Sequence, residues 1–509
     1  MNKKKYKINK YYLGLIILIL IVVVANQLSS MNEGYHLPES LDELSNAKIG
    51  VQSGTSYEVL AKDKIRQDQV VYFAAPADLI IALEQGKIDA FITEEISYGP
   101  YVYTHPWLEV VPGDIATVDY TFAIGKNAKH ERLLKEMNEF VHTCEENGFL
   151  KNGYDYWVLN YNPNNRKRFE YDYSQATEIL SIAVETGYEP FSFIGDGQLQ
   201  GYDVEFAEAF CHEYGYKPVF YEMSFESISS GIESGKFDLG ANIIVTEERL
   251  ETIVPVDSYL HSSLLMIAGS PNDVSDTYIE RIIKSATKTF VDENRWQLFV
   301  LGALRTLGIT LIAVACGTLL GFLLFLLNRD AKDDFRKFLV GLSKIIHGTP
   351  TVLFLMILYY VIFGHSSMSG FWVSSIGFAI LFTFAVFELL VSGNNAVGSG
   401  QTEAARALGY SKNRAFFRIV LPQAAMHFLP LYKSELISII KETSVVGYIA
   451  VQDLTKVSDI IRSRTFEAMF PLISTALVYF LIIFILTGIV SQIEFKVDPK
   501  KRRERLLNK

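Results

Sequence analysis

Five apolar stretches crowd into the C-terminal part of this 509-residue chain: about Trp296–Leu327, Thr349–Phe363, Trp372–Val391, Leu429–Ile449 and Pro471–Ile493. Each reads as a candidate membrane span, since a helix of about 20 apolar residues crosses a bilayer core. A sixth run, Leu13–Ala25, follows Lys3, Lys4 and Lys5. A basic flank before a short apolar core fits a secretory signal or an uncleaved anchor. As a helix, Tyr11 to Leu28 would reach roughly 27 Å. No Cys follows it, so it carries no lipoprotein site. We expect residues 1–28 to be an anchor or signal, with cleavage after Ala25 the open alternative.

Charge divides the chain in the same way. From about Met31 to Trp296 there are about 44 Asp and Glu against about 20 Lys and Arg, with no long apolar run. The remainder holds about 13 acidic and about 27 basic residues. The net charge of −10 is therefore about −24 on a soluble block and about +14 on a membrane block. An acidic soluble face repels phosphates, which argues against nucleic acid as a partner.

Basic clusters orient the spans, because Lys and Arg collect on the cytoplasmic side. Arg329, Lys332, Arg336, Lys337 and Lys344 follow the first span, Arg406, Lys412, Arg414 and Arg418 the third, and Lys500 to Arg505 the last. The loop His365–Gly370 has no Lys or Arg. An outside acidic block, five spans and an inside basic tail (497–509) are mutually consistent in a cytoplasmic (inner or plasma) membrane, with lipid as a partner. The loop Gln452–Phe466, with Lys456, Arg462 and Arg464, is a mild exception. The fourth span carries Lys433, Glu435, Lys441 and Glu442. Ionisable groups at that depth face protein or a water-filled path, so re-entrant backbone competes with a simple span there.

Between the third and fourth spans runs Gly400-Gln401-Thr402-Glu403-Ala404-Ala405-Arg406-Ala407-Leu408-Gly409-Tyr410, continuing to Leu421-Pro422-Gln423-Ala424. This predicts a short helix, a Gly at positive φ, and a second helix stopped by Pro422. The alanines keep the first helix thin. Such an elbow suits docking to a partner, or is an ordinary amphipathic loop. The stretch closely resembles the EAA loop of ATP-binding-cassette importer permeases of the polar amino-acid uptake subgroup. His347-Gly348-Thr349-Pro350 resembles the family's Arg-Gly-Thr-Pro, and Lys441-Glu442-Thr443-Ser444 its Lys-Asp-Thr-Ser. Glu388 is kept before the elbow, but Ser392-Gly393 stands where the subgroup has Arg. The resemblance covers about Trp296 to Lys496. It implies that Glu403, Ala404, Ala405, Leu408 and Gly409 couple to a groove on a separate ABC ATPase subunit. With only five core spans, two chains are expected to pair around one path, as a homodimer or with a second permease chain. The chain has no Gly-x-x-x-x-Gly-Lys-Ser/Thr phosphate loop, so it does not hydrolyse ATP by that route and is not expected to be an enzyme.

The acidic block repeats itself. Leu83-Glu84-Gln85-Gly86-Lys87-Ile88-Asp89 returns as Ile232-Glu233-Ser234-Gly235-Lys236-Phe237-Asp238, each before a β-like run. Strands precede both, at Ile49–Val51 and Leu180–Val184. Strands alternating with helices indicate two α/β lobes, whose ligand sites lie beyond the strand ends. The block resembles a solute-binding domain for polar amino acids. Its matching motifs are Tyr188-Glu189-Pro190-Phe191, Gly201-Tyr202-Asp203-Val204, Thr246-Glu247-Glu248-Arg249 and Asp257-Ser258-Tyr259. In that family these come first, yet here they follow Gln52-Ser53-Gly54-Thr55 and Asp89-Ala90. The simplest account is one circularly permuted domain, made easy by termini that lie close together. Two decayed tandem domains are the rival, which two separate clefts would favour. The expected order is lobe 2 with a return segment of lobe 1 (38–158), linker (159–177), lobe 1 (178–269), tether (270–295) and permease domain (296–496). The fold class is thus a two-lobed, periplasmic-binding-protein-like α/β domain outside, plus an all-α polytopic permease.

An amino-acid ligand needs a cation for its carboxylate, an anion for its ammonium and an apolar wall. Arg249 offers a two-pronged carboxylate grip. The turn Ser53–Tyr57, with Thr55 and Ser56, offers hydroxyls and backbone N–H groups at a helix start. Resemblance puts the ammonium-binding acid at Glu94, a side-chain contact at Glu185 and an aromatic wall at Tyr188. Gln52 and Thr93 are selectivity positions, and Asn242 completes the set. Where the family often has Ser or Thr two residues before Thr246, this chain has Ile244. Three Cys exclude a disulfide scaffold. Cys144 and Cys211 are expected as buried thiols, with a disulfide the alternative, and Cys316 as packing within a span. Nine scattered His show no metal spacing, and no cofactor is expected. The expected function is the substrate-binding and permease subunit of an ATP-driven importer for a polar amino acid or similar zwitterion. The alternative is a ligand-gated receptor or sensor without transport.

Overall fold

A computed structural model of the chain describes residues 37–497, apart from 126, 128, 163–168, 196, 252, 271–277, 330–332, 365 and 367. The N-terminal segment 1–28, the tail beyond Val497 and parts of the linker and tether lie outside the described residues.

The strands, in chain order, are β1 (Ile49–Gln52), β2 (Val70–Phe73), β3 (Ala90–Glu94), β4 (Leu108–Val111), β5 (Thr117–Ile124) and β6 (Glu178–Glu185). Then come β7 (Phe193–Gly195), β8 (Gln198–Gln200), β9 (Tyr216–Met223), β10 (Leu239–Ile244), β11 (Val254–Pro255) and β12 (Leu260–Gly269). The chain divides into two compact units. One gathers residues up to Val118, Val158–Tyr161 and His261–Arg281. The other gathers Asp119–Trp157, Asn162–Leu260 and everything from Ile282 onward.

In the first unit β1 pairs in parallel with β2 and β3, and β12 runs antiparallel to β3 and β4. Every residue of β1 and β3 is buried, as parallel strands covered on both faces require. The helix α1 (Pro76–Glu84) starts on a Pro at its first turn, where no N–H is needed. It lies so close to β1 that a Cβ on Gly50 would stand 2.7 Å from Leu79. The sequence placed Leu260–Gly269 with the later lobe. Its register, Leu264 to Glu94 through Ile267 to Phe91, puts it on β3 instead.

In the second unit β6 pairs in parallel with β9 and β10, and β5 runs antiparallel to β10 and β11. Around this sheet lie α2 (His130–Glu146), α3 (Tyr202–Glu213) and α4 (Phe225–Glu233). Both sheets therefore have parallel strands followed by an antiparallel one that a distant chain segment supplies.

The repeated heptad has a structural cause. Gly86 and Gly235 both take positive φ, +65° and +68°. Their N–H groups bond back to Leu83 and Ile232, and those of Lys87 and Lys236 reach back to Ala82 and Gly231. Each copy is a glycine-ended helix whose last carbonyls are thereby satisfied. Each following Asp then returns to the sheet, Asp89 accepting from Lys48 N–H at 2.7 Å and Asp238 from Ser181 N–H at 2.8 Å.

After α5 (Tyr278–Phe290), which makes much of the expected tether helical, the second unit becomes all helix. Its elements are α6 (Trp296–Arg329), α7 (Asp333–Gly348), α8 (Thr351–Met356), α9 (Gly370–Ala396), α10 (Ser399–Ala407), α11 (Lys412–Ala415), α12 (Leu421–Glu442), α13 (Leu454–Thr465) and α14 (Met469–Val497). Gly317 and Gly321 sit one turn apart on α6. A Cβ on either would strike α9, at 2.8 Å from Phe382 and 2.6 Å from the Thr383 carbonyl. Small residues spaced this way let two backbones approach closely.

Among the described residues three helices are long and apolar enough to cross a membrane: the one ending at Arg329, α9 and α14. A fourth candidate is a bent pair, Asp334–Gly348 with Thr351–Ile362, at 102°. Sequence reading expected a plain span at Thr349–Phe363. Pro350, which cannot continue the α7 hydrogen-bond ladder, sits at the break. The fourth expected span, Leu429–Ile449, falls on α12 and a 3₁₀ segment, Thr443–Ile449. It is not among the described helices long and apolar enough to cross a membrane. Nor does Pro422 stop a helix. It occupies the first turn of α12, where proline is accepted. Cys316, expected to be packed, is exposed on α6, because its neighbours Ala313 and Gly317 form the buried stripe.

Candidate functional site

The first unit carries Gln52, Thr55, Ser56, Thr93 and Glu94. Gln52 ends β1 and is buried. Gly54 follows at φ +80°, so the chain doubles back and the Thr55 hydroxyl donates to the Gln52 carbonyl at 2.7 Å. Ser56 caps the short helix Tyr57–Leu60 without a side-chain bond to it. Thr93 and Glu94 end β3. The Glu94 side chain is 1% exposed, so it is not a solvated loop acid. Its Oε2 accepts from Thr93 Oγ1 at 3.3 Å and from Ser97 Oγ at 3.4 Å. Ser97 gave no signal in the sequence beyond lying one helical turn away.

The second unit carries Glu185, Tyr188, Asn242 and Arg249. Glu185 ends β6 and is buried. Tyr188 is buried too, its ring stacked on Phe191 at 5.2 Å and 18°. Asn242 interrupts β10 at φ +58°, where its pairing with β5 shifts register between Gly240 and Ile243. Its amide nitrogen is buried with no hydrogen-bond partner among the described residues. Asparagine is one of the few non-glycine residues that readily accept left-handed backbone. Arg249 donates from Nη1 to the Ile244 carbonyl at 3.1 Å, and its guanidinium lies 5.3 Å from the centre of the Phe225 ring. The Ile244 position thus holds the arginine through its backbone. Phe225 was invisible to sequence reasoning, because its contact with Arg249 is made across the fold.

The second unit also holds a buried pair that sequence reading did not single out as such. Tyr259 donates its phenol to Asp203 at 2.5 Å. Burial pushes the Asp203 carboxyl up to about 7, against the lowering effect of that hydrogen bond. Burial likewise pushes Glu205 up to about 7, with the Trp157 indole donating to it. Cys144 and Cys211 are unbridged and buried, and burial raises the Cys144 thiol to about 12. Among the described residues no group of three or more His, Cys, Asp or Glu could hold a metal ion.

The elbow is a third set. The α10 helix ends on Leu408, and Gly409 follows at φ +87°. Gly409 N–H bonds to the Arg406 carbonyl at 3.0 Å and Tyr410 N–H to that of Ala405 at 3.1 Å. Leu408 is 78% exposed, and Glu403, Ala404 and Gly409 are exposed beside it, whereas Ala405 is buried against its own chain. The elbow thus holds one large apolar side chain, Leu408, in the open beside a glycine turn.

Residues 313–499 match the family model of the binding-protein-dependent transport system inner membrane component. A permease of Rickettsia bellii named for a glutamine transport system is 33% identical over 204 residues, 39% of this chain and 93% of that one. The chain belongs to this family of importer permeases. The arginine transport system permease protein of Bacillus subtilis is 31% identical over 205 residues, 39% of this permease and 92% of its own length. A solved amino acid ABC transporter, crystallised with histidines, is 27% identical, covering 44% of this chain and 100% of that one with a TM-score of 0.37. The permease is therefore a membrane component of an ATP-binding-cassette importer and not an enzyme, and ATP is hydrolysed on a separate ATPase subunit. The match covers α9 through the elbow and α14, and Gly409 stands in it.

Proposed function

We propose that this chain is both receptor and permease: it binds a polar amino acid or a similar small zwitterion outside the cell and passes it through its own helical part into the cytoplasm. One observation carries the receptor half. Glu94, a buried carboxylate, ends β3 in the first unit, and Arg249, an anchored guanidinium, lies on the short helix Glu247–Leu250 after β10 in the second. An amino acid requires one group of each kind, and the resemblance of the sequence motifs assigns these residues the two roles. In this reading Arg249 grips the ligand carboxylate with Thr55 and Ser56, Glu94 takes the ammonium, Tyr188 forms a wall, and Glu185, Gln52, Thr93 and Asn242 select the side chain. Relatives named for glutamine and arginine support this class of cargo.

The order of segments, each sheet completed by a distant strand, supports a single permuted binding domain. Two chains pair around one path, and the exposed Leu408 knob with Glu403, Ala404 and Gly409 engages the ATPase. The binding domain lies outside and the basic C-terminus inside, on the charge pattern of the loops.

The experiment is a thermal-shift screen of the purified full chain against the amino acids, followed by uptake in liposomes with a cognate ATPase. A ligand that raises the midpoint and is then accumulated only with ATP carries the reading. If a binding amino acid opened an ATP-independent conductance, the chain would be a gated receptor instead.

A further inference from the structure

Lys236 belongs to the repeated heptad, yet its fate differs from that of Lys87. Lys87 is exposed. Lys236 instead reaches the helical part of its own unit, donating to the Phe363 carbonyl at 2.8 Å and the Ser366 carbonyl at 2.6 Å, with its ammonium 4.7 Å from the centre of the Tyr359 ring. Phe363 caps the end of Ile357–Ile362, so the lysine satisfies carbonyls that a helix end leaves bare. A cation at that end is also stabilised by the negative end of the helix dipole.

Other contacts surround it. Tyr360 donates to the Tyr448 carbonyl at 2.9 Å and lies 3.4 Å from the Ser227 carbonyl of α4. One apolar cluster runs without a break from Ile228, Ile232 and Phe237 of the lobe through Tyr359 and Tyr360 to Phe378 and Phe382 of α9. At another point Arg464 of α13 pairs with Glu189 of the lobe, the side chains only 13% and 11% exposed, and also with Glu293 at 3.3 Å. Its guanidinium lies 5.0 Å from the centre of the Phe193 ring. Surfaces that meet and part are wet and polar, with charged pairs at a solvated rim. This one has the apolar continuity and the desolvated ion pair of a fold interior.

We infer that the lobe carrying Arg249 is a resident part of the permease, docked without ligand and without ATP, rather than a tethered receptor that docks and leaves. The inference rests on the receptor–permease reading and sharpens it: delivery has no association step for this lobe, and its dock is closed to any other binding protein.

Lysine footprinting tests it without knowing the cargo. The full chain in lipid nanodiscs, with no amino acid and no ATPase added, is labelled with N-hydroxysuccinimide acetate. Site-resolved rates for Lys236 and Lys87 are read by mass spectrometry and normalised to the urea-unfolded chain. Acetylation of Lys236 should be slower by about tenfold or more, since labelling requires local opening of the dock. In Arg464→Gln, Lys236 should label faster and Lys87 at its former rate. Equal rates in the wild type would overturn the inference, as would protection that appears only after L-glutamine or L-arginine is added. If no amino acid binds at all, the receptor reading fails while the ligand-free protection still reports on the dock.

Discussion

Lys433 of α12 stands 3.1 Å from Glu494 of α14, with Ser491 a further 3.0 Å partner of the same ammonium. The pair explains how α12 tolerates a lysine beside apolar helices: the charge is answered by the neighbouring helix. Glu494 is nearly buried and Lys433 partly exposed. Lys433→Ala should therefore lower stability by roughly 2 kcal/mol, less than the full cost of stranding a buried charge, because solvent reaches the lysine. Lys433→Met with Glu494→Met should recover most of it. Detergent melting curves of the singles and the double decide, and a double as weak as the singles would refute an ion-pair role.

Stability of the lobe should fall as pH rises. Asp203 and Glu205 are both held near 7 by burial, whereas unfolded carboxylates titrate near 4. Between those values the folded state binds more protons than the unfolded one, so the unfolding free energy declines with each pH step. The contribution is present below about pH 4 and lost as pH passes through about 7. For Asp203 it is on the order of 4 kcal/mol. Melting followed by tryptophan fluorescence, at several pH values from about 5 to about 8, should show a falling midpoint, flattened in Asp203→Asn. A flat wild-type profile would remove the pair from the account.

Arg249→Ala should weaken amino-acid binding by roughly 2–5 kcal/mol, because it leaves a desolvated carboxylate unpaired. Arg249→Lys should restore only part, since one ammonium cannot make the two-pronged contact. Calorimetry against the best ligand of the thermal-shift screen measures this. Unchanged affinity in Arg249→Ala would move the carboxylate grip elsewhere.

The elbow should be intolerant of a side chain at Gly409. Left-handed backbone costs an L-residue roughly 1–2 kcal/mol, and Gly409→Pro also deletes the N–H that bonds to Arg406. We expect Gly409→Pro and Glu403→Lys to abolish ATP-driven uptake while membrane insertion and ligand binding persist. Normal uptake by either variant would argue against the docking role.

Local pattern and charge were legible in the sequence, because they are properties of short runs. The division into acidic and apolar parts, the glycine at the elbow and the repeated heptad all follow from nearest neighbours along the chain. Glycine at Gly86, Gly235 and Gly409 could be read as helix ends because a positive φ is a local demand. What tertiary structure decided was each residue's company. Leu260–Gly269 looks like any apolar strand until its register on β3 is seen. The exposure of Cys316 depends on what packs beside it. Two lysines in matching heptads part company, one to solvent and one to the carbonyls of Phe363 and Ser366. Similar local sequence gives similar caps, but burial is set by surfaces brought together from far apart in the chain, and no window along the sequence contains both sides of such a contact.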